Sequence, residues 1–219
     1  DGIDINMGCP DRSIEKQGSG AAMMKSPELA QRVICETIRG AGKLPVSVKT
    51  RIGYNNNEIE SWIPLVLESG VSAITVHGRT RKELSKVPAH WDVIARCVEI
   101  ANAYDSSKTR PLVIGNGDVS SVAEGIEKAR KYGVDGVMIG RGVFGNPWLF
   151  RKDGHVPSIK EKLAAAIEHT RQFEEIFGNR KPFHIMKKHY KAYVSGFDGA
   201  KELRIKMMEG KSAEDIERI

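Results

Sequence analysis

Gly2-Ile3-Asp4-Ile5-Asn6-Met7-Gly8-Cys9-Pro10-Asp11 is the stretch on which the fold reading turns. A short alternating run gives way at once to a turn, because Gly8 frees the backbone and Pro10 cannot extend a ladder. The run reads as a buried strand, with Cys9 held on a stiff elbow just past its end. In a barrel of parallel strands that end is the rim where catalytic groups sit. A cysteine used only for packing sits more often inside a strand or on a helix face. Cys9 is therefore a candidate functional thiol.

Four more apolar runs follow: Val46 to Thr50, Ala73 to His77, Leu112 to Gly115 and Gly136 to Ile139. They are rich in Val and Ile and alternate weakly, as expected of strands buried on both faces. Helical patterns separate them. Ser26-Pro27-Glu28 opens one with a cap, a first-turn proline and an early acid, and Leu29, Val33, Ile34 and Ile38 keep helical spacing. Glu58 to Ser69, His90 to Tyr104 and Ser121 to Tyr132 read as three more, with stops at Gly70 and Gly133. Such alternation means parallel βαβ units. No Gly-x-Gly-x-x-Gly follows any strand, which argues against a dinucleotide-binding open sheet. The expected class is α/β, a TIM (β/α)8-type barrel represented by its last five βα units. A full barrel takes about 250 residues, and this chain of 219 gives its last third to something else. It begins at Asp1 and almost inside a strand, so the natural N-terminus is expected to lie upstream.

After Pro157 the character changes. Ser158-Ile159-Lys160-Glu161 has the form of a capping box, and Leu163, Ile167, Thr170, Phe173 and Phe177 make an amphipathic stripe ending at Gly178. A second helix is expected over 182–195, and Ser212-Ala213-Glu214-Asp215 reads as a further helix start. This predicts a small all-α C-terminal domain over 156–219, after a catalytic domain over 1–155. Charge separates the parts as well. Residues 1–150 hold 19 Lys and Arg against 17 Asp and Glu, whereas 151–219 hold 15 against 11. Arg180 to Lys211 alone holds nine basic and three acidic residues, a footprint that suits a phosphate backbone or simply a solvated surface.

Each strand ends on a polar group: Asn6 and Cys9, then Lys49, His77, Asn116-Gly117-Asp118, and Gly140-Arg141-Gly142. Lys, His and Asn are poor choices inside a barrel wall. One such residue is ordinarily a paired structural group, but five at successive strand ends point to a site. Barrels often bind phosphate at the loops after their last two strands. There Gly117 and Gly140 leave backbone N–H groups accessible, and Arg141 adds a bidentate cation. Lys49 and His77 would face the flat part of the same ligand, where a cation suits the negative charge of a reduced flavin ring. For Lys49 the structural alternative is an ion pair with Asp4.

The motifs Asn6-Met7-Gly8-Cys9-Pro10, Gly18-Ser19-Gly20-Ala21, Lys49-Thr50-Arg51-Ile52-Gly53, His77-Gly78-Arg79-Thr80-Arg81, Asn116-Gly117-Asp118 and Met138-Ile139-Gly140-Arg141-Gly142 resemble, in order, those of the tRNA-dihydrouridine synthase family. The helical tail, with Lys187-Lys188-His189-Tyr190, resembles that family's RNA-binding domain. The resemblance implies an FMN-dependent oxidoreductase that reduces the C5–C6 double bond of specific uridines in tRNA, with NADPH as reductant. It makes Cys9 the proton donor to C5. It makes Lys49, His77, Asn116, Gly117, Asp118, Gly140 and Arg141 the cofactor-binding set, and sets Asn6 at the uracil edge. A free thiol is protonated at neutral pH, as a general acid must be. The target base has to leave its stack to react.

Two other functions fit parts of the pattern: a flavin-dependent reductase of a small pyrimidine or enone, and a non-catalytic tRNA-binding fragment. Three cysteines without paired or metal-ligand spacing argue for a reducing compartment and against a metal site. Neither a signal peptide nor an 18-residue apolar run is visible in the sequence. The expectation is a cytoplasmic protein, monomeric at full length, with Cys35 and Cys97 as packing residues.

Overall fold

The computed structural model describes residues 1–104, 109–178 and 180–219. The chain folds into two compact units, Asp1–Gly140 and Arg141–Ile219.

In the first unit, β1 (Ile3–Asn6), β2 (Val46–Arg51), β3 (Ala73–His77), β4 (Leu112–Asn116) and β5 (Gly136–Met138) form one parallel sheet in sequence order. Between them run α1 (Arg12–Glu15), a 3-10 turn (Gly20–Lys25), α2 (Pro27–Ala41), α3 (Ile59–Glu68), α4 (Trp91–Ala103) and α5 (Val122–Tyr132). This is the strand–helix repeat of a TIM-type barrel over five units. The helix ends follow the sequence signals. Ser121 Oγ caps the Glu124 N–H, and Gly133 stops α5 in the left-handed conformation at φ 70°.

Strand register sorts the side chains into two faces. Val46, Val48 and Thr50 share one face with Ile74, Val76 and Val113, and all six are buried. That face packs with Ile34, Trp62, Ile63, Val66, Trp91 and Ile94 of the helices into one core. Trp62 Nε1 donates to Thr50 Oγ1 at 2.8 Å, so even the polar residue of this face is satisfied. The opposite face carries two polar rows, Asn6-Lys49-Thr75 and Arg51-His77-Asn116. The weak alternation in the sequence is thus an apolar face and a polar one, and the polar face is buried too at its centre, at Arg51 and Thr75. The expected burial of the first strand fails. Ile3 is 37% exposed and Asp4 and Asn6 are exposed, because among the described residues β1 pairs on one side only. On α2, Leu29 is exposed and Ala30 takes its place in the core.

The second unit begins with a 3-10 turn (Arg141–Val143) and continues with α6 (Ile159–Phe177), α7 (His184–Tyr193), α8 (Ala200–Glu209) and α9 (Ala213–Arg218). The capping box at Ser158 and Glu161 forms in both directions. Met186, Tyr190, Val194, Met207 and Ile216 make the core. Thr170 Oγ1 donates to Ala166 O at 2.7 Å and lies 3.2 Å from Tyr190 OH, which joins α6 to α7 without leaving a hydroxyl unpaired. Residues 141–155 belong structurally to this unit, although the sequence changes character only after Pro157. Among the described residues no helix is long and apolar enough to cross a membrane.

Candidate active site

The elbow that carries Cys9 is stapled from both sides. Asn6 Oδ1 accepts from Gly8 N at 3.1 Å and from Cys9 N at 3.0 Å, an Asx-type closure of the turn. Cys9 O accepts from Ala21 N at 2.9 Å. Gly20, at φ +62°, passes so close that an added Cβ would stand 2.6 Å from Cys9 O. Only glycine allows that approach. Cys9 itself stays half-exposed. Asn6 spends its oxygen on the turn.

Beneath the elbow lies Arg51, 7% exposed. Its Nε donates to Gly8 O at 2.7 Å, and its Nη1 to Thr80 O at 3.1 Å and Leu84 O at 3.3 Å. One guanidinium therefore ties the thiol's loop to the loop after β3. A second tie joins the same loops: Arg81 Nε donates to both carboxylate oxygens of Glu15, at 2.8 and 2.9 Å. That arginine holds the Glu15 carboxyl below its ordinary value. The sequence reading gave neither arginine a role. The available signal for Arg51 was its place two residues after Lys49, on the same face of β2.

Lys49 Nζ donates to Asn116 Oδ1 at 3.2 Å, and Asn116 Nδ2 donates to Met138 O at 2.9 Å. Asn116 thus presents Lys49 from two strands away. The alternative pairing of Lys49 with Asp4 gives way to an Asp4 hydrogen bond from Ser47 Oγ at 2.6 Å. Burial and then the charge of Arg51 push the Lys49 ammonium down, against a smaller pull from Asp4. A half-buried cation bonded to a neutral amide, beside a second cation, suits an electron-rich ligand edge.

The ends of β3 and β4 lock together. Arg79, 3% exposed, donates from Nε to Val87 O at 2.5 Å, pairs through Nη2 with Asp118, and reaches His77 Nε2 from Nη1 at 3.2 Å. Asp118 Oδ2 also accepts from Ala89 N at 2.9 Å, and Trp91 Nε1 donates to Gly117 O at 3.0 Å. A Cβ on Gly117 would come within 2.6 Å of Ala89 Cβ and 3.2 Å of His77 Cδ2. Asp118 and Gly117 therefore shape the loops that surround His77. Burial first, and then Arg51, Lys49 and Arg79, lower the His77 imidazole to about 3.

Gly140 differs from Gly20 and Gly117. A Cβ there would meet nothing within 4 Å, so the protein's own packing does not require glycine at this rim position. Open space before a backbone N–H is what a phosphate cradle presents. Arg141 follows it at the start of the second unit and is exposed. The other cysteines divide. Cys97 is buried, and burial raises its thiol to about 12, whereas Cys35 is exposed on α2 and corrects the expectation that it packs. Among the described residues no group of three or more His, Cys, Asp or Glu could hold a metal ion.

In the helical unit, α7 and α8 border a groove of about 770 Å³. Lys188, Lys191 and Lys201 stand exposed around Ile205 and Met208, while Lys187 Nζ donates to Met208 O at 2.6 Å and Arg204 Nη1 to Val194 O at 2.7 Å.

Known proteins similar to this chain fall in one family. The family model described as dihydrouridine synthase (Dus) matches residues 1–218. A probable tRNA-dihydrouridine synthase of Staphylococcus aureus (strain MRSA252) is 41% identical over 213 residues, covering 96% of this chain and 63% of the relative. Probable tRNA-dihydrouridine synthase 2 of Bacillus subtilis (strain 168) is 38% identical over 217 residues, covering 98% and 65%. The chain spans a little under two thirds of the length of these relatives.

Proposed function

The chain belongs to the dihydrouridine synthase family, and from that premise we propose that it carries the acid-bearing half of a site that reduces uridine in tRNA to 5,6-dihydrouridine. The observation that supports this most is the clamped elbow: a half-exposed thiol is held by Asn6, Ala21 and Arg51 beside a rim that bears Lys49 and a neutral His77.

Reduction of the C5–C6 double bond adds a hydride at C6 and a proton at C5. The hydride is the chemistry that FMN, with NADPH as electron source, would supply when held by these residues. The residues present fit that group. Lys49 offers an under-neutralised cation to the electron-rich ring, His77 a neutral donor, and Gly140 with Arg141 the place for the phosphate. Gly117, Asn116 and Asp118 hold these groups in position. The proton comes from Cys9 Sγ–H, with Asn6 Nδ2 at the uracil edge. Giving up that proton leaves a thiolate at Cys9. Solvent returns the proton through the exposed side of the elbow.

In this reading residues 1–155 serve the flavin and the base, and residues 156–219 hold the tRNA through the lysines of the α7–α8 groove. Multiple phosphate contacts make such binding steeply salt-dependent. A test is to map dihydrouridine in tRNA from cells lacking the full-length gene. The reading expects specific positions to revert to uridine and to be restored by the gene. An unchanged map, or a purified full-length protein that shows no flavin absorbance, contradicts it.

A further inference from the structure

Three cations crowd one imidazole at the rim: Arg51 and Lys49 from β2 and Arg79 from the loop after β3, with Asp118 from the β4 loop as the opposing charge. Arg79 is the one that touches the ring, through Nη1 and His77 Nε2 at 3.2 Å. A guanidinium has donors only and stays charged at any pH the fold survives. The bond therefore requires Nε2 to be the nitrogen with the lone pair, and the ring proton must lie on Nδ1. Protonating Nε2 would set N–H against N–H beside two further cations. Arg79 cannot swing away to relieve this. Val87 O holds its Nε, and the Asp118 carboxylate holds its Nη2 and is itself fixed by the Ala89 N–H.

We infer that Arg79 is a positioning residue that locks His77 as the neutral Nδ1–H tautomer, so that His77 gives its ligand a hydrogen bond and never a proton. The identity of that ligand rests on the function proposed above; the tautomer does not. Within that function the lock leaves Cys9 without a competing acid on the imidazole. It also explains why Asp118, at a strand end among flavin-contacting positions, spends its carboxylate on an arginine. The depressed imidazole value agrees with the geometry.

The test is a long-range proton–nitrogen NMR correlation on the full-length flavin-loaded protein labelled with 15N-histidine, with the His77 signals assigned by their loss in His77→Gln. The lock predicts a protonated Nδ1 and a bare Nε2, unchanged from pH 8 to pH 5.5. A proton on Nε2, or a titration inside that range, overturns it. Arg79→Met should free the tautomer, so that a protonated Nε2 becomes populated, while burial, Arg51 and Lys49 still hold the imidazole below its ordinary value. Its rate of dihydrouridine formation should fall, with little change in the KM for tRNA. A variant spectrum identical to wild type also overturns the lock. If Arg79→Met does not fold, the wild-type spectrum decides alone. A wild-type protein that makes no dihydrouridine counts against the proposed reaction and leaves the spectrum to be judged by itself.

Discussion

The cations of the two units do opposite work. In the sheet unit Arg51 and Arg79 are 7% and 3% exposed, and their donors are spent on Gly8, Thr80, Leu84, Val87, His77 and Asp118. In the helical unit Lys188, Lys191 and Lys201 stand in solvent around an apolar groove floor. A buried guanidinium is costly to desolvate and remains only where several acceptors fix it, so it sets geometry. An exposed ammonium costs little, is screened by salt and serves long-range attraction. The contrast teaches that the buried arginines set the geometry of the loops around the thiol, whereas the exposed lysines leave a charged surface open to solvent.

The sharpest way to break that contrast is Arg51→Met. It strands three carbonyls and frees the Cys9 loop, and at about 1–3 kcal/mol for each buried unsatisfied group it should cost at least about 3 kcal/mol in urea unfolding. A loss below 1 kcal/mol would reduce Arg51 to a bystander. Gly20→Ala attacks the same elbow from the other side. A positive φ and a Cβ 2.6 Å from Cys9 O predict about 1–3 kcal/mol of destabilisation, with faster amide exchange at Cys9 and Ala21. Wild-type exchange rates in the variant would mean the approach is not tight.

His77 adds a pH signature. Its folded value is depressed from 6.5 to about 3, so the unfolded chain takes up the proton first as pH falls. The stability this group gives is complete above pH 6.5 and drains below it by up to about 1.4 kcal/mol per unit. His77→Gln should flatten the difference between pH 7 and pH 5.5, and a variant that keeps the full slope would place its origin elsewhere.

In the helical unit, changing Lys188, Lys191 and Lys201 together to Ala should leave the unfolding midpoint within the ~0.5 kcal/mol of a surface change. It should weaken tRNA binding about tenfold and flatten its salt dependence by about two. An unaltered salt slope would return those lysines to a solvated surface.

The sequence made the frame legible because each strand ends in glycine or polar residues and each helix carries its own start and stop signals. β3 runs from Ala73 to His77, where the sequence places it, and Ser121, Gly133, Ser158 and Glu161 cap as their types require. The rim residues could be found from residue type at successive strand ends. Their partnerships could not, because Arg51 reaches 43 residues back to Gly8 and Asp118 reaches 39 residues back to Arg79. Long-range carbonyl and carboxylate contacts leave no local pattern. The residues whose burial differs from expectation share a cause as well. Cys35, Leu29 and Ile3 are apolar or small residues whose exposure depends on which neighbours cover them, and periodicity alone does not say.

The central claim is that the clamped thiol gives the proton to C5. Cys9→Ala in the full-length protein tests it most directly, with NADPH oxidation, flavin content and dihydrouridine followed together. Flavin content and NADPH oxidation should persist, while dihydrouridine formation falls by the ~10²–10⁴-fold that loss of a general acid costs. Dihydrouridine formed at the wild-type rate would contradict the account.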